Sequence, residues 1–237
     1  DTSPRISEFQ PIPAGTTPTA LSATQMMELT GTPGAAFSGF LLLVESDNDD
    51  EAGVVEQVEA LNGTFDANGF LVVTIGALEE HSHTYFLVST FDGEAESTDF
   101  DTDNDGVPDS INELGYLFDV LGVPIADDAL LYGSDVGGTD LAFSGTPNLV
   151  FRGTGDGAWF NVVGDSVFGE DGSDVTASFA GIDLSSPSFG EENPASPATD
   201  DGDDGDGLSD GEIAGTVIGC VAGGCILAAA ISMYVHS

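Results

Sequence analysis

Apolar residues in the first 180 positions fall in short runs separated by Gly/Asp/Asn turns, with almost no helical period. Arg5–Phe9 (RISEF) alternates polar and apolar side chains, as a half-buried strand must when successive residues face opposite sides. A Pro/Thr/Ala-rich loop over 10–24 precedes a second expected strand, Gln25–Thr30 (QMMELT), and GTPGAA over 31–36 turns the chain. The run 40–44 (FLLLV) is apolar at every position and predicts a fully buried strand. Further strands are expected at 54–58, Phe70–Ile75, 85–89, 130–132, Leu149–Arg152, Trp159–Val163 and 175–179. Asn62-Gly63, Asn68-Gly69, Asp92-Gly93, Gly137-Gly138, Asp156-Gly157 and Asp171-Gly172 supply the turn signals between them. One stretch before the C-terminal tail, 110–121, predicts a helix. The pattern as a whole predicts an all-β domain over 1–190, an immunoglobulin-like antiparallel β-sandwich.

The tail breaks this pattern. Residues 191–212 are a Pro/Ser then Asp/Gly linker of low complexity, and 213–235 (IAGTVIGCVAGGCILAAAISMYV) is an uncharged run of 23 residues. A helix of that length reaches about 34 Å, enough for a hydrocarbon core of roughly 30 Å, so one C-terminal transmembrane helix is expected. Gly215, Gly219 and Gly223 recur every four residues and form one bare stripe, a packing face for other membrane proteins. A lipid-anchor signal that is cut off has similar ingredients, but a retained span is the expectation, and a start at Asp1 without Met suggests a processed N-terminus. Asp210 and Glu212 suit the positive end of the helix dipole and place the large domain on the extracytoplasmic side. Cys220 and Cys225 lie about 140° apart around such a helix, so no disulfide between them is expected.

Charge narrows the function classes. The chain holds 42 Asp and Glu against two Lys and Arg, for a formal net charge of −40. The two are Arg5 and Arg152. Nucleic acid and anionic lipid surfaces both need clustered cations, so neither is an expected partner. Phosphoryl transfer lacks its usual cationic side chains. Such self-repulsion is tolerable in a salty exterior, at a calcium-rich surface or in an acidic lumen. A hydrophobic fraction of 41% and 15 Phe still supply a core.

The sharpest chemical motif is DTDNDGVPDSIN over 101–112. Oxygen ligands at positions 1, 3, 5, 9 and 12 with Gly at 6 follow calcium-loop spacing. Asp101, Asp103, Asp105, the Val107 carbonyl, Asp109 and Asn112 are the expected Ca2+ ligands, and Gly106 permits the sharp turn. Asn112 stands where a bidentate carboxylate is usual, with Glu113 one place later. The run resembles the thrombospondin type-3 calcium repeats, which share the D-x-D-x-D-G-x-x-D pattern.

A second cluster, Asp204, Asp206 and Asp210, reads as a charged spacer, and 47–51 as a solvated loop. His81 and His83, after Glu79 and Glu80, have the makings of a small metal site, but alternation on an exposed strand edge is the plainer expectation. Asn62-Gly63-Thr64 is a glycosylation sequon. No nucleophile elbow, phosphate loop or Cys/His pair stands out, so enzymatic activity is not expected.

The opening RISEFQPIPAG and the later QMMELTGTPGAAFSGFLLLVES resemble lamin-tail-type domains of secreted microbial and algal proteins. Ile6, Glu8, Pro11, Pro13, Gly15, Glu28, Leu29, Ser38, Gly39, Phe40 and Leu42 carry the likeness, which covers roughly residues 1–190. It implies an immunoglobulin-like sandwich with a structural or adhesive role. The basic surface of lamin tails is missing here, so their nucleic-acid association is not implied. The function expected from all this is a non-enzymatic, single-span accessory subunit of a membrane assembly. Its acidic, calcium-binding domain faces the lumen or the exterior, as in the thylakoid lumen of an algal photosynthetic complex or at a cell surface. A surface adhesion protein acting by calcium bridging is the alternative, and a metal-dependent hydrolase the remotest.

Overall fold

A computed structural model describes residues 3–11, 25–76, 78 and 81–197. The expected span over 213–235, its Gly215/Gly219/Gly223 stripe and the Asp204–Asp206–Asp210 cluster lie outside the described residues. No helix among the described residues is long and apolar enough to cross a membrane.

The strands are β1 (Arg5–Phe9), β2 (Gln25–Thr30), β3 (Ala36–Glu45), β4 (Val55–Thr64), β5 (Phe70–Ile75) and β6 (His83–Val88). They are followed by β7 (Leu117–Val123), β8 (Thr139–Asp140), β9 (Leu149–Arg152), β10 (Trp159–Val163) and β11 (Ser166–Gly169). They build two sheets, one ordered β11-β10-β9-β1-β2-β5 and the other β4-β3-β6-β7-β8. The described strand pairs are antiparallel except β7–β8, which is parallel, so the sandwich is not purely antiparallel.

Alternation, with a bulge between Ile6 and Glu8 in β1, decides what fills the space between the sheets. Ile6, Phe9, Met27 and Leu29 point inward from the first sheet and meet Leu41, Leu43, Tyr85, Leu87 and Leu121 of the second. Phe9 and Tyr85 bring their ring centroids to 4.7 Å across the layer. Burying each such side chain contributes about 1.5–3 kcal/mol. The other rows of the second sheet, Leu42, Val44, Phe86 and Val88, are also buried, under Phe100 and Tyr132 of the long connections. Both faces of β3 are therefore dry, which is why 40–44 reads apolar at every position. Phe179, from a 3-10 turn at Thr176–Phe179, covers Phe151 and Phe160 on the outside of the first sheet.

Four local expectations give way to tertiary context. Residues 110–121 form no helix; from Leu117 the chain is β7, paired with β6 from His83↔Val123 to Val88↔Leu117, and strand pairing overrides local propensity. Residues 130–132 join no sheet, and cross the second sheet through Leu130 N–H to Ser46 O and Tyr132 N–H to Thr84 Oγ1. The expected strand at 175–179 is the 3-10 turn. Asn62-Gly63 is no turn but the end of β4, where Ser38 faces Asn62 and Phe37 faces Gly63. Gly63 has a packing role there, since a Cβ would lie 2.5 Å from Leu71 Cδ1.

The folded unit runs past 190. The buried Asn193 side chain donates to Ser7 O, Ser7 Oγ and Arg152 O, and Thr154 bridges Ala195 in parallel.

Candidate metal centres

The acidic loop begins where the connection from β6 crosses the β3–β4 turn. Phe100 N–H donates to Gly53 O, and Asp109 N–H donates back to Phe100 O at 2.7 Å, closing the loop at its base. Asp101 is fully buried. Its carboxylate accepts from the N–H groups of Asp105 (3.1 Å) and Gly106 (2.8 Å) and from the Tyr132 hydroxyl (3.1 Å). Burial and the nearby Asp101 charge push the Tyr132 hydroxyl far above its ordinary range, so it stays a donor. Asn104 (φ 54°) and Gly106 (φ 84°) take left-handed conformations that wrap the backbone around Asp101.

Three carboxylates converge there: ligand oxygens of Asp101, Asp103 and Asp109 all lie within 4.8 Å of one another. Asp103 is pushed up, chiefly by the charge of Asp105, then by burial and the charges of Asp109 and Asp101. Asp105 and Asn112 are not part of that trio: Asp105 Oδ1 accepts Val107 N–H at 3.0 Å, and Asn112 Nδ2 donates to Ser110 Oγ at 2.7 Å, which leaves Asp105 Oδ2 and Asn112 Oδ1 outside these bonds. Val107 is exposed at the rim. Asp109 is held by Thr102, whose N–H (3.0 Å) and hydroxyl (2.5 Å) both reach its Oδ2.

A second constellation sits at one end of the inter-sheet core. His83 and Glu45 are Cα partners at the ends of β6 and β3, on the same inward rows as Tyr85 and Leu43. The pairing of β3 with β4 shifts between Leu43 and Val44, which oppose Gln57 and Val55; the extra residue is Glu56. Such a bulge re-aims a side chain, and Glu56 reaches the inward side. Its Oε2 lies 2.6 Å from His83 Nε2, and its Oε1 lies 3.5 Å from His81 Nδ1. His81 Nδ1 in turn lies 2.6 Å from Glu45 Oε2. The expectation of an exposed strand edge is wrong here: His83 is 2% exposed, and the imidazoles of His81 and His83 stack at 6.2 Å between centroids.

Burial, then the hydrogen bond to Glu56, pushes Glu45 up to about 7. Burial would also raise Glu56, but hydrogen bonds from His83 and Glu45 and the imidazole charges outweigh it and hold it at about 2. His81 rises, because its bond to Glu45 and the surrounding carboxylates overcome partial burial.

Two further pairs of ionisable groups, Glu8 with Glu28 and Arg152 with Asp119, shape the fold. Glu8 and Glu28 face each other across β1 and β2, covered by the chain that follows, where Ser188 N–H donates to Glu8 and Gly190 N–H to Glu28. Burial pushes Glu8 up to about 7 and raises Glu28. Arg152 of β9 spans the layer to Asp119 of β7, 2.7 Å from its Oδ2.

Comparisons of the chain with protein-family models, with curated proteins and with solved structures found no match.

Proposed function

We propose that this chain is a non-enzymatic, membrane-anchored structural subunit whose acidic sandwich, of the immunoglobulin-like kind, is rigidified by Ca2+ on the lumenal or exterior side. The carrying observation is the Asp101 loop. A buried carboxylate organises its backbone while Asp103 and Asp109 converge beside it. All-oxygen donor sets of this kind suit hard cations. Calcium would supply fixed positive charge, tying the connection after β6 to the β3–β4 turn through the Phe100–Gly53 bond. Anchoring rests on the uncharged run 213–235.

Calcium titration of the thermal midpoint in the full chain tests this. Ca2+ should raise the midpoint by several degrees at a hundredfold excess over Kd, about 2.7 kcal/mol of linkage. Asp103→Ala and Asp109→Ala should remove the shift, and Asp105→Ala, outside the converging trio, should keep part of it. A chain whose midpoint ignores Ca2+, or equal shifts in all three variants, would overturn the proposal.

A further inference from the structure

We propose that Glu45, Glu56 and His81 form a binding site for one divalent transition-metal ion of the zinc type, with His83 as its positioning residue. The inference is independent of the calcium loop, whose donors are all oxygens.

Each carboxylate is arranged as a metal ligand needs. One oxygen is tied down and the other is presented. Glu45 Oε1 accepts Asp47 N–H at 3.0 Å, leaving Oε2 toward His81. Glu56 Oε2 is taken by His83 Nε2 at 2.6 Å, leaving Oε1 toward the same imidazole. The three presented atoms, Glu45 Oε2, Glu56 Oε1 and His81 Nδ1, lie within 4.8 Å of one another.

In a tetrahedral site with bonds of ~2.0–2.1 Å, ligand atoms stand roughly 3.3 Å apart. The Glu56–His81 separation of 3.5 Å already fits. The Glu45–His81 separation of 2.6 Å must open by roughly 0.7 Å, within reach of a side-chain adjustment on the more exposed partner. That partner is His81, whose side chain is 38% exposed, so it also provides an entry path and leaves a coordination position for water.

The chemistry of the donor set selects the ion. One imidazole with two carboxylates, in a pocket where Glu45 is 1% exposed, suits a zinc-type ion better than Ca2+, which seeks six to eight oxygens. Two carboxylates balance a 2+ charge, which matters where solvent cannot. The hydrogen bond of His83 to Glu56 is the kind of outer partner that orients a ligating carboxylate. The ion would cross-link β3, β4 and the chain just before β6.

The test uses the full chain, stripped of metal and held in excess Ca2+ so that all-oxygen sites are occupied. Zn2+ is titrated while imidazole nitrogen resonances are followed; the chain has three histidines, His81, His83 and His236, so each is resolvable. One equivalent of Zn2+ should move His81 Nδ1 selectively and raise the thermal midpoint. His81→Ala should abolish both effects, the Zn2+ response being read against that variant's own midpoint in Ca2+ alone. Glu56→Gln, which preserves shape, should abolish them too, and His83→Gln should weaken affinity about 10–100-fold. The proposal is overturned if His81 shifts no earlier than His236, or if His81→Ala or Glu56→Gln still takes up the first equivalent at wild-type affinity.

Discussion

Replacing Arg152 by Met asks how much one inter-sheet ion pair contributes in a chain with two basic residues. The guanidinium Nη2 lies 3.0 and 2.7 Å from the two Asp119 oxygens, its Nε donates to Ile6 O at 3.3 Å, and its carbon stands 4.3 Å above the Trp159 ring. Arg152 and Asp119 are 18% and 12% exposed, so water screens the pair little. Burial already raises Asp119 although Arg152, Ile6 N–H and the charge of Arg5 oppose it, and removing the guanidinium leaves the buried carboxylate only the Ile6 bond and the weaker influence of Arg5. Breaking a buried pair from one side costs about 3–5 kcal/mol, and Met retains part of the apolar contact on Trp159.

We therefore expect Arg152→Met to lose about 3–4 kcal/mol near neutral pH, or roughly 6–16 °C in the midpoint of a unit this size. Asp119→Asn in the same background should recover part of that loss, since the buried charge disappears. The pH dependence has a definite sign. Without Arg152 the folded-state Asp119 is raised further above its unfolded value, so the variant regains stability as pH falls and loses it as pH rises through the folded value. The deficit should therefore narrow toward acid. Urea unfolding followed by the fluorescence of Trp159, the single tryptophan and 1% exposed, reads all of this without adding salt. A deficit below about 1 kcal/mol that is the same at pH 5 and pH 8 would refute the buried-pair reasoning.

Glu8→Gln should behave in the opposite sense to an ordinary carboxylate deletion. Because Glu8 is raised from 4.5 to about 7, its contribution is full below about 4.5 and is lost as pH rises through about 7; the variant should gain about 2–3 kcal/mol relative to wild type between pH 5 and pH 8 in urea titrations. Gly53→Ala should cost roughly 2–4 kcal/mol and weaken the calcium response. Gly53 has φ 89°, and a Cβ there would lie 2.6 Å from Asp101 N and 2.7 Å from Asp101 Cβ. A thermal midpoint within 2 °C of wild type would contradict this.

Legibility in the sequence followed how locally each feature is determined. The strands at Arg5–Phe9, Gln25–Thr30, Phe70–Ile75, Leu149–Arg152 and Trp159–Val163 were readable, because alternation or short apolar runs at those positions reflect one or two buried faces. β7 was not: LFDVLGV carries Asp119 and Gly122, whose strand character depends on a distant arginine and on pairing with β6. Asn62-Gly63 carries a turn signal, yet long pairing with β3 keeps it extended. The acidic loop is visible as a spacing, but which carboxylates converge is not; Asp101, Asp103 and Asp109 do. The His81–Glu45–Glu56–His83 cluster was hidden except for the two histidines. Its members meet only through the β3–β6 register and a bulge that adds Glu56 to β4, neither of which leaves a local trace.

Amide hydrogen exchange of the full chain, in Ca2+ and after chelation, tests the central claim most directly. The Asp105 and Gly106 amides, both donated to Asp101, should gain protection with Ca2+ together with the Asp109 amide that closes the loop, while amides within β10 stay unchanged. Identical exchange across 101–109 in the two conditions would contradict a calcium-rigidified loop.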